Sequence, residues 1–266
     1  MKEKLTVVKV GGKIVEDEAS LHRLIRSFSA LSGHKVLVHG GGRTATDVAA
    51  RLGLATQMVN GRRVTDADML RVVTMVYGGL VNKNVVARLA AQGICALGLT
   101  GADVDVMRSH RRPAGEVDYG FVGDVDRTDG ARLAALVRGG IVPVMAPLTH
   151  DGAGNLLNTN ADTIAAETAK ALAGFFDVTL VYCFEHAGVL RSPDDEGSVV
   201  PHITPETFGE LVESGTVSGG MIPKLENCLD AVRAGVARVV ITASPGSAAA
   251  PDGELRIEKG CTVISK

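Results

Sequence analysis

Hydrophobic positions along this chain alternate between short apolar runs and longer stretches with helical spacing. The runs at 5–10 (LTVVKV), 35–39 (KVLVH), 94–99 (ICALGL), 141–146 (IVPVMA), 177–183 (DVTLVYC) and 237–242 (ARVVIT) predict strands, with a shorter one at 260–264. Between them, apolar residues recur every three or four positions, which predicts helices from the Gly40-Gly41-Gly42 turn through Leu52, and over 66–93, 132–138, 162–172, 204–213 and 223–234. Gly53 closes the first of these, and Gly78-Gly79 is a soft spot in the second. The 204–213 helix has Thr204 as its cap, Pro205 at its first position and Gly215 just past its end. Residues 104–126 break the rhythm with polar, turn-rich segments around Pro113-Ala114-Gly115, a hairpin excursion. Continuous apolar strands alternating with helices predict an α/β fold with a mainly parallel sheet covered on both faces. Ligands of such sheets bind outside the carboxyl ends of the strands. A division near residues 173–177 would give an N-terminal lobe of 1–174 and a C-terminal lobe of 175–266.

Composition narrows the function classes. Among 266 residues, 45% are hydrophobic and 22% charged, with a net charge of −2, so no global field recruits nucleic acid or an anionic membrane. Aromatic residues are 3% and tryptophan is absent, which disfavours base stacking. No apolar stretch reaches a membrane span, and 141–148 is interrupted by Pro143 and Pro147. Cys95, Cys183, Cys228 and Cys261 form no C-x-x-C pair and read as free thiols, and no secretory leader precedes the first strand, so a cytoplasmic location is expected. The seven histidines show no metal-ligand spacing.

Five segments could face an anion. Lys9 sits inside the first strand and is followed by Gly11 and Gly12; it is either an edge-strand lysine snorkelling to solvent or a cation placed against an anion at the strand end. His39-Gly40-Gly41-Gly42 joins a strand to a helix, as a plain tight turn or as a nest of N–H donors; G-x-G-x-x-G and Gly-Lys-Ser/Thr are both absent. Asn60-Gly61-Arg62-Arg63-Val64-Thr65 is a hairpin-type turn whose arginines are solvated or fork a carboxylate. In Asn158-Thr159-Asn160-Ala161-Asp162, Asn160 caps a helix and Asp162 complements its dipole, while Asn158 is free for a polar substrate and Asp162 for cationic side chains. Lys224 follows Gly219, Gly220 and Pro223 on the first turn of a helix, where the dipole disfavours a cation unless an anion is near. A phosphoryl group in transit would suit all five, because its transition state is stabilised by positioned cations and N–H donors. No general base stands out, which fits an acceptor already ionised at neutral pH, such as a carboxylate.

Seven motifs in order along the chain resemble the amino-acid kinase family. They are K-x-G-G at Lys9, Gly11 and Gly12, H-G-G-G at 39–42, N-G-x-R-V-T at 60–65, V-N-K at 81–83, G-F-V-G at 120–123, N-x-N-A-D at 158–162 and G-G-M-I-x-K at 219–224. The resemblance implies a three-layer αβα sandwich and ATP-dependent phosphorylation of the side-chain carboxylate of an N-acyl-L-glutamate, in arginine biosynthesis. Lys9 and Lys224 would stabilise the transferring group, with Asp162 orienting both. Gly11, Gly12, Gly41 and Gly42 would form the phosphate-binding nest. Arg63, Asn158 and the Gly41 backbone would hold the acyl-amino acid. The N-terminal lobe would carry this substrate and a homodimer contact, and the C-terminal lobe would take ATP. Magnesium would be held mainly by phosphates and water, with no protein ligand set. Three departures stand out: Arg62 where the family usually has leucine, Phe184-Glu185 where a Ser/Thr-Asp pair is usual, and a start close to the first strand, which implies an arginine-insensitive dimer. Arg62 suggests selectivity for an acyl group with its own carboxylate, succinyl over acetyl. The alternatives are a relative acting on another acceptor, such as carbamate, aspartate or a nucleotide monophosphate, or a non-catalytic metabolite sensor; the latter would be expected to lose a phosphoryl-contacting lysine.

Overall fold

β1 (Lys4–Val10) is a strand buried on both faces: Leu5 and Val7 enter one hydrophobic layer, Val8 and Val10 the other. The computed structural model describes residues 2–184, 186–192, 194–243 and 260–266. After β1 come α1 (Gly12–Glu16), α2 (Glu18–Ala30), β2 (His34–His39), α3 (Gly42–Arg51), β3 (Met58–Val59), β4 (Arg62–Arg63), α4 (Ala67–Val73), α5 (Asn82–Ala90) and β5 (Ala96–Leu99). The middle of the chain holds β6 (Met107–Arg111), β7 (Gly123–Thr128), α6 (Gly130–Arg138), β8 (Val142–Met145), β9 (Leu148–His150), β10 (Leu156–Asn158) and α7 (Ala161–Ala173). The remainder is β11 (Asp177–Cys183), β12 (His202–Ile203), α8 (Pro205–Glu213), α9 (Met221–Arg233), β13 (Arg238–Thr242) and β14 (Thr262–Ile264).

Eight strands form the central sheet in the order β12-β14-β13-β11-β1-β2-β8-β5. All neighbours are parallel except β13 and β14. Helices α6, α7, α8 and α9 cover the face that receives Leu5 and Val7, and α2 and α5 cover the face that receives Val8 and Val10. This is the mainly parallel three-layer sandwich expected from the strand–helix alternation. The excursion at 104–126 is the antiparallel hairpin β6–β7, but it belongs to a second, four-stranded sheet in the order β10-β9-β6-β7.

Several elements lie outside the predictions. Helix α2 is one, although Leu21, Leu24, Ile25 and Phe28 are all buried at helical spacing. The others are α1, β12 and the pair β9–β10, which are too short for periodicity to register. The soft spot at Gly78-Gly79 is a π-helical stretch, Thr74–Val81, between α4 and α5. Such widened turns recur at functional sites, and this one faces the glycine turn after β2.

Candidate active site

Period-2 alternation places Lys9 on the same face as Leu5 and Val7, the face covered by α7. It lies one residue from the end of β1, and its side chain is 9% exposed. Its ammonium meets the Asp162 carboxylate at 2.7 Å, so the charge inside the strand is neutralised by the first turn of α7. Asn160 caps that helix, its side chain accepting from the Asp162 N–H at 2.7 Å. The capping and functional readings of this segment therefore hold together: the cap fixes the helix start and aims Asp162 at Lys9. Lys224 lies on the first turn of the facing helix α9, and its ammonium is 5.1 Å from the centre of the Phe184 ring. Among the described residues Lys224 makes no ion pair, so the Asp162 contact reaches Lys9 and not both lysines.

The turns after β1 and β2 come together. A Cβ on Gly40 would stand 3.1 Å from the Gly12 nitrogen, and one on Gly41 would stand 3.1 Å from the Tyr77 ring. A side chain at either position would crowd its neighbour, and glycine avoids that. Gly11 and Gly41 are the N-caps of α1 and α3, and neither supplies a side-chain cap, so the N–H groups of Gly12 and Gly42 get no partner from the cap residue. Glu16 ties the two helices: its carboxylate accepts from the Thr44 N–H at 2.8 Å and from the Thr44 hydroxyl at 3.0 Å.

Beside this turn is a cavity of about 170 Å³ lined by Gly40, Gly41, Arg62, Arg63, Tyr77 and Asn158 among others. It adjoins a second cavity of about 530 Å³ lined by Asp162, Tyr182, Phe184 and Lys224, and both share Gly61, Arg62 and Asn160. Arg63 is 7% exposed and donates to the Gly42 carbonyl at 2.7 Å and to the Thr46 hydroxyl at 2.9 Å. Among the described residues it has no carboxylate partner, and a buried guanidinium without one calls for an anionic ligand. The Asn158 amide donates to the Thr65 hydroxyl at 2.9 Å, which orients it at the cavity wall. Arg62, which pairs with Val59 across the hairpin turn, is half-buried; burial and the neighbouring Arg112 lower its pKa, partly offset by Asp124. Lys9, Asp162 and Lys224 thus line or adjoin the larger cavity, and Gly41, Gly42, Arg63 and Asn158 the smaller, with Arg62 between them.

Tyr77 lies outside every motif, and His39 and Asn82 lie inside motifs that assign them no role. Tyr77 comes from the π-helical stretch; burial raises its pKa and keeps the phenol protonated beside Arg63. His39 faces away from Lys9 and is fully buried, its Nδ1 2.7 Å from the Gly40 carbonyl and its Nε2 3.1 Å from the Asn82 amide. Asn82 also donates to the Val144 carbonyl at 2.9 Å. Since the Asn82 amide is the donor, Nε2 accepts and Nδ1–H donates to Gly40. Burial depresses the His39 pKa to about 4, so the ring is neutral and braces the turn. Cys183 and Cys228 are pushed up to about 12 by burial, which makes them inert thiols; Cys261 is buried and Cys95 exposed, all four unbridged as expected. Glu185 lies outside the described residues.

The family model described as the amino acid kinase family matches residues 4–243. A Bacteroides fragilis protein named acetylglutamate kinase is 64% identical over 259 residues, covering 97% of this chain and 98% of that protein. A Phocaeicola vulgatus protein of the same name is 67% identical over 242 residues, covering 91% and 94%. Among solved structures, smu.665 from Streptococcus mutans UA159 superposes with a TM-score of 0.76 at 27% identity, covering 98% of each chain.

Proposed function

The chain belongs to the amino acid kinase family, and on that premise we propose that it transfers the terminal phosphoryl group of ATP to the side-chain carboxylate of an N-acyl-L-glutamate, in arginine biosynthesis. The observation that carries this reading is the placement of an unpaired buried guanidinium, Arg63, in one cavity and the Lys9–Asp162 pair with Lys224 at the next. Arg63 and Asn158 hold the amino acid, so that its side-chain carboxylate points toward the lysines. That carboxylate is already ionised at neutral pH, and no base is needed to prepare it. Lys9 and Lys224 meet the negative charge spread over the transferring group, while Asp162 keeps Lys9 in place. The N–H groups of Gly12, Gly41 and Gly42, left open at their helix starts, receive phosphate oxygens, and Gly11 lets the chain approach them.

Magnesium would neutralise phosphate charge during transfer. Among the described residues there is no group of three or more His, Cys, Asp or Glu side chains able to hold a metal, and Asp162 is engaged by Lys9. That donor set suits a metal held by phosphate oxygens and water. Lys9, Asp162 and Lys224 are all present, which weighs against a sensor that has lost its chemistry.

Arg62 refines the acyl group. It stands half-buried at the wall shared by both cavities, where a carboxylate on the acyl group would pair with its guanidinium. The acyl group is acetyl, with succinyl as the alternative that Arg62 suggests. One charge-assisted hydrogen bond is worth about 1.5–3 kcal/mol, roughly 10- to 150-fold in preference. The test is kcat/KM for N-acetyl- and N-succinyl-L-glutamate; a clear preference for acetyl defeats the succinyl alternative and leaves the reaction class standing.

The lobe division at 174/175 is supported by the lining of the smaller cavity, which comes wholly from the first part, while Phe184 and Lys224 come from the second. Homodimerisation through the N-terminal lobe is supported by the edge strand β5, which exposes Leu97, and by exposed Met75 and Leu80 on the π-helical stretch. Light scattering should then give twice the 27.6 kDa chain mass. Among the described residues no helix is long and apolar enough to cross a membrane. Use of ATP and buried free thiols support a cytoplasmic setting.

A further inference from the structure

Phe184 stands where the two lysines converge. Val178, Leu180 and Tyr182 alternate onto the α7 face of β11, and Phe184 continues that alternation just past the strand end. Lys9 pairs in register with Tyr182 on the adjacent strand, so the ring is delivered beside the Lys9 ammonium. The ring centre is 5.4 Å from the Lys9 ammonium and 5.1 Å from that of Lys224. Both distances are inside the range in which an aromatic face attracts a cation.

The ring itself is fixed. The Phe184 N–H donates to the Thr242 carbonyl at 2.9 Å, and the ring stacks on Tyr182 with centroids 5.8 Å apart and planes 3° off parallel. The Tyr182 hydroxyl in turn donates to the Asp162 carbonyl at 3.2 Å, on the residue whose carboxylate holds Lys9. Phe184, Tyr182, Asp162 and Lys9 therefore close a loop of contacts. Lys224 joins that loop through the ring.

Two ammonium groups converging on one cleft repel each other, and a single carboxylate neutralises one of them. An exposed lysine on a flexible stem also has rotamer freedom to lose when it is brought to bear on a substrate. We propose that Phe184 is a positioning residue for the lysine pair: its ring face gathers Lys9 and Lys224 at the cavity before the phosphoryl group arrives and releases them to its oxygens when it does. This deepens the kinase reading and rests on it. The competing role is packing between β11 and α9, since Phe184 also lies against the hydrophobic layer of that face.

Leucine keeps apolar bulk at this position and removes the aromatic face, whereas tyrosine keeps the face. Phe184→Leu should lower kcat about five- to tenfold, with KM for the acyl-glutamate within about twofold, and Phe184→Tyr should restore kcat to within about twofold. The direct readout is NMR of the protein with ¹³C-dimethylated lysines, which keeps their charge. Resonances of Lys9 and Lys224, assigned with Lys9→Arg and Lys224→Arg, should be ring-current shifted in the wild type and move toward the exposed-lysine position in Phe184→Leu. Unshifted lysine resonances in the wild type overturn the proposal without needing any Phe184 variant to fold. So does an unchanged kcat in Phe184→Leu, or a loss of kcat that tyrosine fails to restore. A wild-type protein with no activity on acyl-glutamates would overturn the kinase reading instead, while the lysine resonances would still decide the role of the ring.

Discussion

Lys9 and Arg63 are two buried cations with opposite local solutions. Lys9 carries its counter-charge within the fold, in Asp162 at 2.7 Å, whereas Arg63 is satisfied by neutral acceptors and has no carboxylate partner among the described residues. Substitution should separate them. Lys9→Ala should lower kcat by about 10²–10³-fold while binding of the acyl-glutamate, read by calorimetry, changes little. Arg63→Lys should instead raise KM for the acyl-glutamate by about tenfold or more with a smaller effect on kcat, because a lysine does not fork a carboxylate. Lys9 was legible from sequence because a charge amid Val7, Val8 and Val10 needs an explanation. Phe184 was visible as a departure from family pattern, but its relation to the lysines was not: register between β1 and β11 creates it, and register is a property of pairing rather than of one strand. The pairing of Asp162 with Lys9 likewise became visible only with α7 packed against β1.

At the scale of elements, the glycine turns depend on what stands behind them. β2 ends on His39, which faces the α2–α5 side of the sheet and holds the Gly40 carbonyl, while the π-helical stretch brings Tyr77 against Gly41. The neutral His39 ring has a pH signature. Its pKa is depressed from 6.5 to about 4 by burial, so between those values the unfolded chain takes up the proton that the folded one excludes. Stability should therefore fall as pH drops from 6.5 toward 4, by roughly 3 kcal/mol from this group at the limit. Denaturant titrations should show that loss, and it should be much smaller in a folded His39→Gln variant. The second sheet has its own anchor: Asp105 accepts from Arg108 at 2.7 Å and contacts Arg127, Arg132 and His150. Hydrogen bonding from Arg108 holds its carboxyl below the usual range, so its contribution is present at neutral pH and lost in strong acid. Asp105→Asn should lower Tm at neutral pH, with the difference from wild type closing in acid. The glycine pair at Gly78-Gly79 announced a weak helix, yet the sequence pattern could not say that the turn would widen into a π-helix. Helix α2 was legible in principle from Leu21, Leu24, Ile25 and Phe28.

Across the whole molecule, one mainly parallel sheet places the carboxyl ends of β1, β2 and β11 side by side. Those ends carry Lys9, the Gly40–Gly42 turn and Phe184, and they look toward the starts of α3, α7 and α9. Strand–helix alternation predicts that arrangement, because a parallel sheet collects its turns on one edge. The partition into two adjoining cavities was not legible, since the hairpin carrying Arg62 closes over them through contacts between distant segments, as when the Thr65 hydroxyl accepts from Asn158. The two-cavity arrangement is what a transfer between two bound substrates requires. The most direct measurement is to incubate the protein with MgATP, an N-acyl-L-glutamate and hydroxylamine, and to quantify ADP and hydroxamate together. A phosphotransferase acting on the side-chain carboxylate should form the two in equal amounts, with neither appearing without the acyl-glutamate. ADP formed without hydroxamate, or at the same rate without the acceptor, would contradict the assigned reaction.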